Sequence, residues 1–307
     1  MTLRVDWLRG CGTALVTPFT ATGEVDEGRF KALVERQLAG GVGLLVPCGT
    51  TGEAATLTPG EQARVIALTV EAARGRAKVV AGVGSNATAA TIERAHAARA
   101  AGADGILVVA PYYNKPTQPG LSAHFRAVAA AVAGCPVVLY NVPGRTASNI
   151  SAATTLALAR DVENVVGIKE ASGDLAQIMA ILRERPPGFR VLSGDDAVTL
   201  PLMALGAEGI VSVVSNEVPD LMTRLVDRAE QGDWAEARKL HYRLLPLMEA
   251  NFLESNPGPV KAALALMGLG AEHYRLPLVP VQEQTRARLR AVLHELGLPR
   301  PAAHAAA

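Results

Sequence analysis

The sequence of 307 residues predicts an α/β fold, a (β/α)8 TIM barrel followed by a C-terminal helical appendage. Short apolar runs alternate along the chain with segments whose apolar residues recur at helical spacing. Several of these runs are continuous stretches of valine, isoleucine and leucine, which is typical of parallel strands covered on both faces. Eight strand–helix units over about 220 residues match the repeat number and the size of a barrel.

The strands are predicted at the eight apolar runs, which are Gly12–Thr17, Gly43–Cys48, Lys78–Val83, Asp104–Ala110, Pro136–Tyr140, Val165–Lys169, Arg190–Ser193 and Gly209–Val213. The clearest helical segments between them are Asp26–Ala39, Pro59–Ala73, Thr88–Ala101 and Leu175–Arg183. Signals for a helix start occur at Thr58–Glu61, Asn86–Thr88 and Ser172–Asp174. Glycines suited to a left-handed helix end follow helical segments at Gly40–Gly41, Gly102 and Gly206.

A doubly wound open sheet is the alternative arrangement, and it would carry a glycine-rich phosphate motif after its first strand. Gly12–Ala14 offers no such motif, and Gly82–Ala87 lacks its third glycine. Beyond Val213 the alternation ends, and residues 221–296 have the pattern of consecutive helices. We therefore predict a barrel catalytic domain at residues 1–225, a C-terminal helical region at 226–298 and a disordered tail at 299–307.

Composition argues against several classes of partner. The formal net charge is +1 with 19% charged residues, so no basic or acidic face indicates a nucleic acid or a membrane surface. No apolar stretch is long enough to span a membrane, and the first twelve residues lack the layout of a signal peptide. We expect a cytoplasmic protein.

Cysteine and histidine usage also favours a metal-free, reducing setting. The three cysteines are an odd number, and each borders an apolar run, so buried reduced thiols are expected. None of the six histidines pairs with another at the spacing of metal ligands. A hydrolytic metal centre is therefore not expected.

Lys169 is the most informative single residue, because it ends the apolar run that begins at Val165. Burial disfavours the charged form of an amine, and a neutral amine is the nucleophile that Schiff-base chemistry needs. The alternative is that Lys169 marks the strand end and its ammonium reaches solvent over an apolar stem. Strand alternation would place Val165, Gly167 and Lys169 on one face, with Gly167 leaving room beneath the lysine inside a barrel.

Polar side chains follow other predicted strands, at the face where barrels carry their sites. The hydroxyls and glycines of Gly49–Glu53 could bind a carboxylate, or could form a helix cap in a tight turn. Two phenols lie in Pro111–Pro116, and a phenol and a guanidinium lie in Tyr140–Thr146. Phenol and threonine hydroxyls can carry protons, and arginine presents a planar fork to a carboxylate.

Five segments together resemble the dihydrodipicolinate synthase family: GTTGE (Gly49–Glu53), PYYNKP (Pro111–Pro116), YNVPGRT (Tyr140–Thr146), GIKEASGD (Gly167–Asp174) and SGDD (Ser193–Asp196). They occur in the family's order, and the resemblance runs from about Gly12 to Gly268. The wider superfamily also contains N-acetylneuraminate lyase and 2-keto-3-deoxy sugar-acid aldolases, so another pyruvate-dependent class I aldolase is one alternative. A non-catalytic binding or regulatory barrel that retains the pocket is the other. The double tyrosine and the arginine motif favour the synthase.

The resemblance implies a lyase that condenses pyruvate with aspartate semialdehyde in lysine and diaminopimelate biosynthesis. It implies that Lys169 forms the Schiff base and that Tyr140 donates and accepts the protons. Thr50 would link Tyr140 to Tyr113 in a relay, with the second tyrosine crossing from a neighbouring subunit. No metal or organic cofactor is implied, because the lysine itself serves as the electron sink.

The resemblance also implies how the substrates bind. Thr51 would hold the carboxylate of pyruvate, with Gly194 and the backbone at Val211 completing the pocket. Arg145 would receive the carboxylate of aspartate semialdehyde at the mouth. A homotetramer built as a dimer of tight dimers is the implied assembly.

One departure from the family pattern concerns feedback inhibition by lysine. Members inhibited by lysine carry polar residues in the cleft between tight-dimer subunits, including a histidine and a glutamate that bind the charged groups of lysine. The matching positions here are Ala54, Pro59, Gln62 and Ala90, although Asn86 and Tyr112 remain. Losing a charge-assisted hydrogen bond costs about 1.5–3 kcal/mol, so we predict weak or absent inhibition.

Overall fold

A computed structural model describes residue 3 and residues 5–298 of the chain. The tail predicted at 299–307 lies outside the described residues. Within the described part, no helix is both long and apolar enough to cross a membrane.

Eight parallel strands form a closed barrel, which confirms the predicted fold class. Each strand pairs with its successor in sequence, and the last pairs with the first. The strands are β1 (Gly10–Ala14), β2 (Leu44–Val46), β3 (Lys78–Gly82), β4 (Gly105–Val109), β5 (Val137–Asn141), β6 (Val165–Glu170), β7 (Arg190–Ser193) and β8 (Gly209–Ser212).

Helices surround the barrel and continue beyond it. They are α1 (Glu27–Ala39), α2 (Pro59–Ala73), α3 (Thr88–Ala100), α4 (Gln118–Ala131), the short α5 (Pro143–Thr146), α6 (Ala152–Asp161), α7 (Leu175–Glu184), α8 (Thr199–Ala204), α9 (Pro219–Glu230), α10 (Trp234–Ala250), α11 (Gly258–Leu266) and α12 (Glu283–Glu295). Short 3-10 turns lie at Ala54–Thr56 and Val214–Asn216.

Most of the predicted signals for helix starts and helix ends agree with the structure. Thr58 and Glu61 form a reciprocal capping box at the start of α2, and Asp174 caps α7. The signal before α3 placed the helix start correctly at Thr88, although the cap residue is Ala87, whose side chain makes no hydrogen bond. Of the glycines expected to end helices, Gly41, Gly102 and Gly206 have positive φ, with values of 81°, 91° and 105°, whereas Gly40 has a φ of −80°.

The predicted start of the first strand was two residues too late. β1 begins at Gly10, which pairs with Gly209 where β8 closes the barrel. A Cβ atom at Gly209 would lie 2.1 Å from the carbonyl oxygen of Gly10, so this closure needs a residue without a side chain. Gly10 lies outside the apolar run from which the first strand was predicted, so the predicted start of that strand came too late.

The apolar core has two main parts, one inside the barrel and one between the strands and the helices. The inner part includes Val46, Leu107, Val138 and Leu192 from the strands. Its members also include Leu8, which precedes β1. Because strand residues alternate between the two faces, the sheet supplies both parts at once.

The C-terminal helices belong to the outer core. Leu240 and Leu244 of α10 and Leu289 of α12 are buried in the same apolar cluster as the outward-facing strand residues. The predicted boundary at residue 225 falls within α9. The proposal of a helical region beginning at residue 226 therefore rests on sequence alone.

The predicted alternation along β6 was wrong in part. Val165 and Ile168 both face the outer core, whereas Val166 belongs to the inner cluster. The cause is a register shift, since consecutive residues Val137 and Val138 of β5 pair with Val165 and Gly167. A Cβ atom at Gly167 would lie 2.7 Å from the carbonyl oxygen of Arg190 and 3.1 Å from Leu8 Cδ2, so the glycine is required there for close packing.

Candidate active site

Two adjoining cavities open at the carboxyl ends of the strands. The inner chamber encloses about 110 Å³ and is lined by residues that include Thr50, Thr51, Tyr140, Arg145, Lys169 and Gly194. The outer chamber encloses about 350 Å³. The two share Thr50, Tyr140, Arg145 and Asn256, so these residues lie where the chambers meet. Six of the eight residues expected from the sequence are thus brought together.

Lys169 is buried, with 5% of its surface exposed, so its ammonium does not reach open solvent. It pairs in register with Tyr140 of the neighbouring strand, and its Nζ lies 4.4 Å from the centroid of the Tyr140 ring. Such a position over a ring face attracts a cation and orients the side chain. The amine therefore points into the inner chamber beside a phenol.

Gly194 provides the space that the lysine occupies. It follows β7, and its backbone nitrogen donates to the carbonyl oxygen of Glu170 at 2.7 Å. A Cβ atom at this position would lie 2.8 Å from Lys169 Cε and 2.8 Å from Ala171 Cβ. Real side chains do not approach so closely, so a glycine here leaves the lysine its extended path along the chamber wall.

The two threonines after β2 lie at different depths. Thr51 is buried, and its Oγ1 accepts a hydrogen bond from Asn256 Nδ2 at 2.9 Å. Thr50 is partly exposed and lines both chambers. The loop that carries them ends at Glu53 with a positive φ of 54°. This left-handed turn redirects the chain so that both hydroxyls stay at the chamber.

Arg145 lies on α5 and lines both chambers. Its Nη2 donates to the backbone carbonyl of Asn256 at 3.5 Å, and no carboxylate of the described residues forms an ion pair with it. A guanidinium that keeps most of its donors free in a cavity is suited to binding a carboxylate in a bidentate manner.

Two expected residues do not reach the chambers within one chain. Tyr113 is 87% exposed, with a positive φ of 74°, and the outer chamber is lined by Tyr112 instead. Within residues 5–298, no hydrogen bond links Tyr113 to Thr50 or Tyr140. Val211 is buried in the inner apolar cluster, and Val213 lines the inner chamber in its place.

The C-terminal segment contributes residues that the sequence analysis missed. Phe252 and Asn256 line the inner chamber, and Asn256 holds Thr51 by its side-chain amide. These residues lie far from the motifs in sequence and have no local pattern that marks them. Within the stretch predicted as consecutive helices, the segment Asn256-Pro257-Gly258-Pro259 has only the composition of a break between two helices.

A buried ion pair stabilises the loop of Gly49–Glu53, which carries Thr50 and Thr51 and is called the threonine loop below. Lys261 Nζ lies 2.5 Å from Glu53 Oε1 and donates to the carbonyl oxygen of Thr17 at 3.1 Å. Burial raises the pKa of Glu53 and lowers the pKa of Lys261, and their mutual attraction opposes both effects. Lys261 interrupts an apolar helix, so the signal that identified Lys169 could also have found this residue.

Glu170, next to the lysine, is fully buried on the outer side of the strand ends. Its oxygens accept from Asn141 Nδ2 at 3.1 and 3.2 Å, from the Ser172 backbone nitrogen at 2.8 Å and from Gln177 Nε2 at 3.3 Å. Burial raises the pKa of Glu170, while these donors act in the opposite direction. The network fixes the ends of β5 and β6, and with them Tyr140 and Lys169.

Asp196 joins the next two strands in a similar way. It is buried after β7 and accepts from Ser212 Oγ and from the backbone nitrogens of Val213 and Val214. Burial raises the pKa of this carboxyl, and its three donors oppose the shift. The second aspartate of the SGDD segment is therefore a link between β7 and β8 rather than part of the chamber wall.

Comparison with known proteins agrees with this geometry. The model of the dihydrodipicolinate synthetase family matches residues 7–296. A 4-hydroxy-tetrahydrodipicolinate synthase of Koribacter versatilis is 55% identical over 292 residues, covering 95% of this chain and 97% of that protein.

Solved structures of similar sequence superpose closely. The dihydrodipicolinate synthase of Aquifex aeolicus has a TM-score of 0.94 at 43% identity and covers 96% of this chain and 100% of its own. The enzyme of Cyanidioschyzon merolae, solved with lysine bound, has a TM-score of 0.93 at 42% identity with the same coverage. With a family model that spans nearly the whole described chain, the protein belongs to the dihydrodipicolinate synthetase family.

Proposed function

We propose that this chain is a lyase that condenses pyruvate with aspartate 4-semialdehyde through a Schiff base on Lys169. The product is 4-hydroxy-tetrahydrodipicolinate, and the reaction belongs to lysine and diaminopimelate biosynthesis. The observation that carries the proposal is the buried Lys169 amine, which enters the inner chamber beside the Tyr140 ring. The names of the curated relatives support this choice over another pyruvate aldolase of the superfamily.

The lysine performs the covalent step. Its neutral amine attacks the ketone carbon of pyruvate, and the carbinolamine that forms loses water to give an imine. Loss of a methyl proton converts the imine to an enamine, whose carbon then attacks the aldehyde carbon of the second substrate. The amino group of that substrate closes the ring by displacing the lysine, which restores the free enzyme.

Tyr140 is the group placed to move protons in these steps. It donates a proton to the departing hydroxyl of the carbinolamine and recovers one later. Thr50 lines both chambers together with Tyr140, and with Tyr113 of a neighbouring subunit it carries protons to solvent. The exposure of Tyr113 in the single chain is consistent with a role across an interface.

Four groups bind the substrates in this proposal. Thr51 donates to the carboxylate of pyruvate, and Val213 and the open space at Gly194 bound the pocket. Arg145 binds the carboxylate of aspartate semialdehyde at the boundary of the two chambers. No nucleic acid or membrane takes part, and the cytoplasm remains the predicted location.

Borohydride trapping tests the covalent step. Incubation with pyruvate and then borohydride is expected to add the reduced pyruvyl group to the peptide that contains Lys169. Lys261 is a matched control, since it is the other buried lysine but is paired with Glu53. A peptide map with no added mass at Lys169, or with equal mass at Lys261, would contradict the assignment.

An aldehyde panel tests the second substrate. Initial rates with pyruvate and aspartate semialdehyde are compared with rates for N-acetylmannosamine and for sugar-derived aldehydes. We expect turnover only with aspartate semialdehyde. Faster turnover of a sugar aldehyde by protein that still traps pyruvate would favour the alternative aldolase and leave the Schiff base intact.

We also propose that lysine inhibits this protein weakly or not at all. Gln62 is buried and its Nε2 donates to the carbonyl oxygen of Ala54 at 2.8 Å, so its amide is already engaged. The cations Arg94 and Arg145 line the outer chamber and would repel an ammonium, and Glu53, which also lines it, is already paired with Lys261. Steady-state inhibition by lysine checks this, and half-maximal inhibition at sub-millimolar lysine would contradict it.

A further inference from the structure

Glu217 and Asn251 form an isolated polar pair where the C-terminal helices contact the barrel. Glu217 follows the 3-10 turn after β8, and Asn251 ends α10. Both residues are fully buried, with 0% exposure. Asn251 Nδ2 donates to Glu217 Oε2 at 2.6 Å. In the described part of the chain, Glu217 Oε1 and Asn251 Oδ1 have no hydrogen-bond partner.

Two buried acceptor oxygens without donors are unfavourable, because each loses its hydrogen bonds to water and gains none within the protein. A single proton would satisfy both oxygens. We propose that Glu217 is a neutral carboxylic acid in the folded protein and donates its Oε1–H to Asn251 Oδ1. Together with the bond from Asn251 Nδ2, this donation closes an acid–amide pair with two hydrogen bonds and no net charge.

The charged groups around Glu217 are Asp196 and Arg36. Arg36 directs Nη1 to the backbone carbonyl of Asn216 at 3.0 Å and Nη2 to that of Glu217 at 2.6 Å, so its donors serve backbone oxygens. Burial raises the pKa of Glu217 well above its usual value, and the charge of Asp196 raises it further, whereas the hydrogen bond from Asn251 and the charge of Arg36 lower it. The surroundings thus favour the neutral form.

Glu170 provides an internal contrast. It is equally buried, but every group that faces its oxygens is a donor. A carboxylate needs no proton in that setting, and a proton there would have no acceptor. The two buried glutamates should therefore respond in opposite ways when the carboxyl is replaced by an amide.

The pair acts as a positioning element for the site. Asn251 immediately precedes Phe252, which lines the inner chamber. Fastening the end of α10 to the segment after β8 therefore fixes one wall of that chamber. A neutral pair does this without placing a second buried negative charge beside Asp196. The inference does not depend on which substrates the chamber binds.

Infrared spectroscopy of the full-length protein tests the protonation directly. At pH 7 we expect a carbonyl stretch of a protonated carboxylic acid that is present in the parent and absent from Glu217→Gln. Labelling the glutamates with carbon-13 should shift this band. A parent-minus-variant spectrum without the band would overturn the proposal, because Glu217 would then be ionised.

The pH dependence of unfolding is the second test, with Glu170→Gln as the matched control. Glutamine at 217 keeps both hydrogen bonds, so Glu217→Gln should not be destabilised relative to the parent, whereas Glu170→Gln should be. Above about pH 4.3, unfolding of the parent releases the Glu217 proton, whereas Glu217→Gln has no such proton to release. The free energy of unfolding of the parent therefore falls as pH rises. The unfolding constant of the parent should rise about tenfold per pH unit relative to Glu217→Gln. Parallel pH curves, or a Glu217→Gln as destabilised as Glu170→Gln, would overturn the inference.

Discussion

At the scale of single residues, the position of the Lys169 amine depends on the absence of a side chain at Gly194. The methylene Cε of the lysine occupies the volume that a Cβ atom would need. The Lys169 amine is held by packing on one side and by the Tyr140 ring on the other, so a small change in volume at Gly194 would move it. In the mechanism proposed above, Gly194 therefore determines where the amine meets the ketone of pyruvate.

We predict that Gly194→Ala lowers kcat/KM for pyruvate by about 10²-fold, because a displacement of about 1 Å has an effect of this size. Steady-state rates and the extent of borohydride trapping both measure the effect. Gly43→Ala is the control, since a Cβ atom there has no neighbour within 4 Å. Parental trapping and rates in Gly194→Ala would show that the lysine does not need this space.

The sequence predicted that Lys169 and the residues at the other strand ends lie together, because functional groups in a barrel concentrate at one face, in segments that interrupt apolar runs. It did not identify Asn256, since the hydrogen bond to Thr51 joins residues 205 positions apart. Nothing local distinguishes such an asparagine from one that merely ends a helix. Long-range partners of this kind are set by tertiary packing alone.

At the scale of elements, the C-terminal segment is attached to the start of α2 by charge. Arg275 contacts both carboxylate oxygens of Glu61, which also accepts from the Thr58 backbone at 2.8 Å. Arg275 lowers the pKa of Glu61 to about 2, with help from Thr58. A carboxyl with a lowered pKa stabilises the fold above its unfolded pKa and loses that contribution as pH falls through the folded value.

We therefore predict that Glu61→Gln lowers the free energy of unfolding at pH 7 by about 2 kcal/mol, after allowance for partial exposure. The difference in unfolding free energy between Glu61→Gln and the parent should shrink as pH falls from about 4.5 to about 2. Denaturant titrations over this range measure it. Glu71→Gln is the control on the same helix, with a side chain 54% exposed. A difference that did not change with pH would argue against the ion pair.

The ion pair between α11 and the threonine loop gives a second prediction at this scale. Lys261→Met leaves Glu53 as a buried charge without its partner, so we expect a loss of about 3–5 kcal/mol in unfolding free energy. Adding Glu53→Gln removes that charge and should recover most of the loss. Denaturant unfolding of the single and double variants measures the coupling, and additive losses would contradict it.

Prediction of the elements succeeded where periodicity is regular and failed where register changes. The bounds of α2 and β7 match the sequence pattern, because a capping box and a bounded apolar run define them. The faces of β6 were wrong because the irregularity lies in its pairing with β5, which a single strand cannot reveal. The alternation of residues is a property of the pair of strands.

At the scale of the whole molecule, the site proposed here is incomplete in one chain, because Tyr113 projects away from the chambers. We propose a homotetramer of tight dimers in which this residue enters a neighbouring site. In a two-fold symmetric interface each subunit would give its Tyr113 and receive one in return. The assembly is then part of the catalytic arrangement as well as of stability.

Subunit mixing tests this exchange. Lys169→Ala and Tyr113→Phe should each be strongly impaired, with a loss of about 10²-fold or more for the tyrosine variant. Unfolding and refolding the two variants together should recover activity, because a mixed dimer contains one site with both native residues. Each variant refolded alone is the control. No recovery in mixtures that form dimers by sedimentation would exclude a shared site.

The hydrogen bond from Asn256 to Thr51 also has a consequence for synthesis on the ribosome. The loop that carries Thr51 is made early, and its partner emerges 205 residues later. At a synthesis rate of about 5–20 residues per second, Asn256 is made roughly 10–40 s after Thr51, and until then Thr51 lacks this hydrogen bond. A nascent chain with all eight strands complete would still lack Phe252, Asn256 and Lys261. Competence to bind a substrate should therefore appear abruptly, near the end of translation.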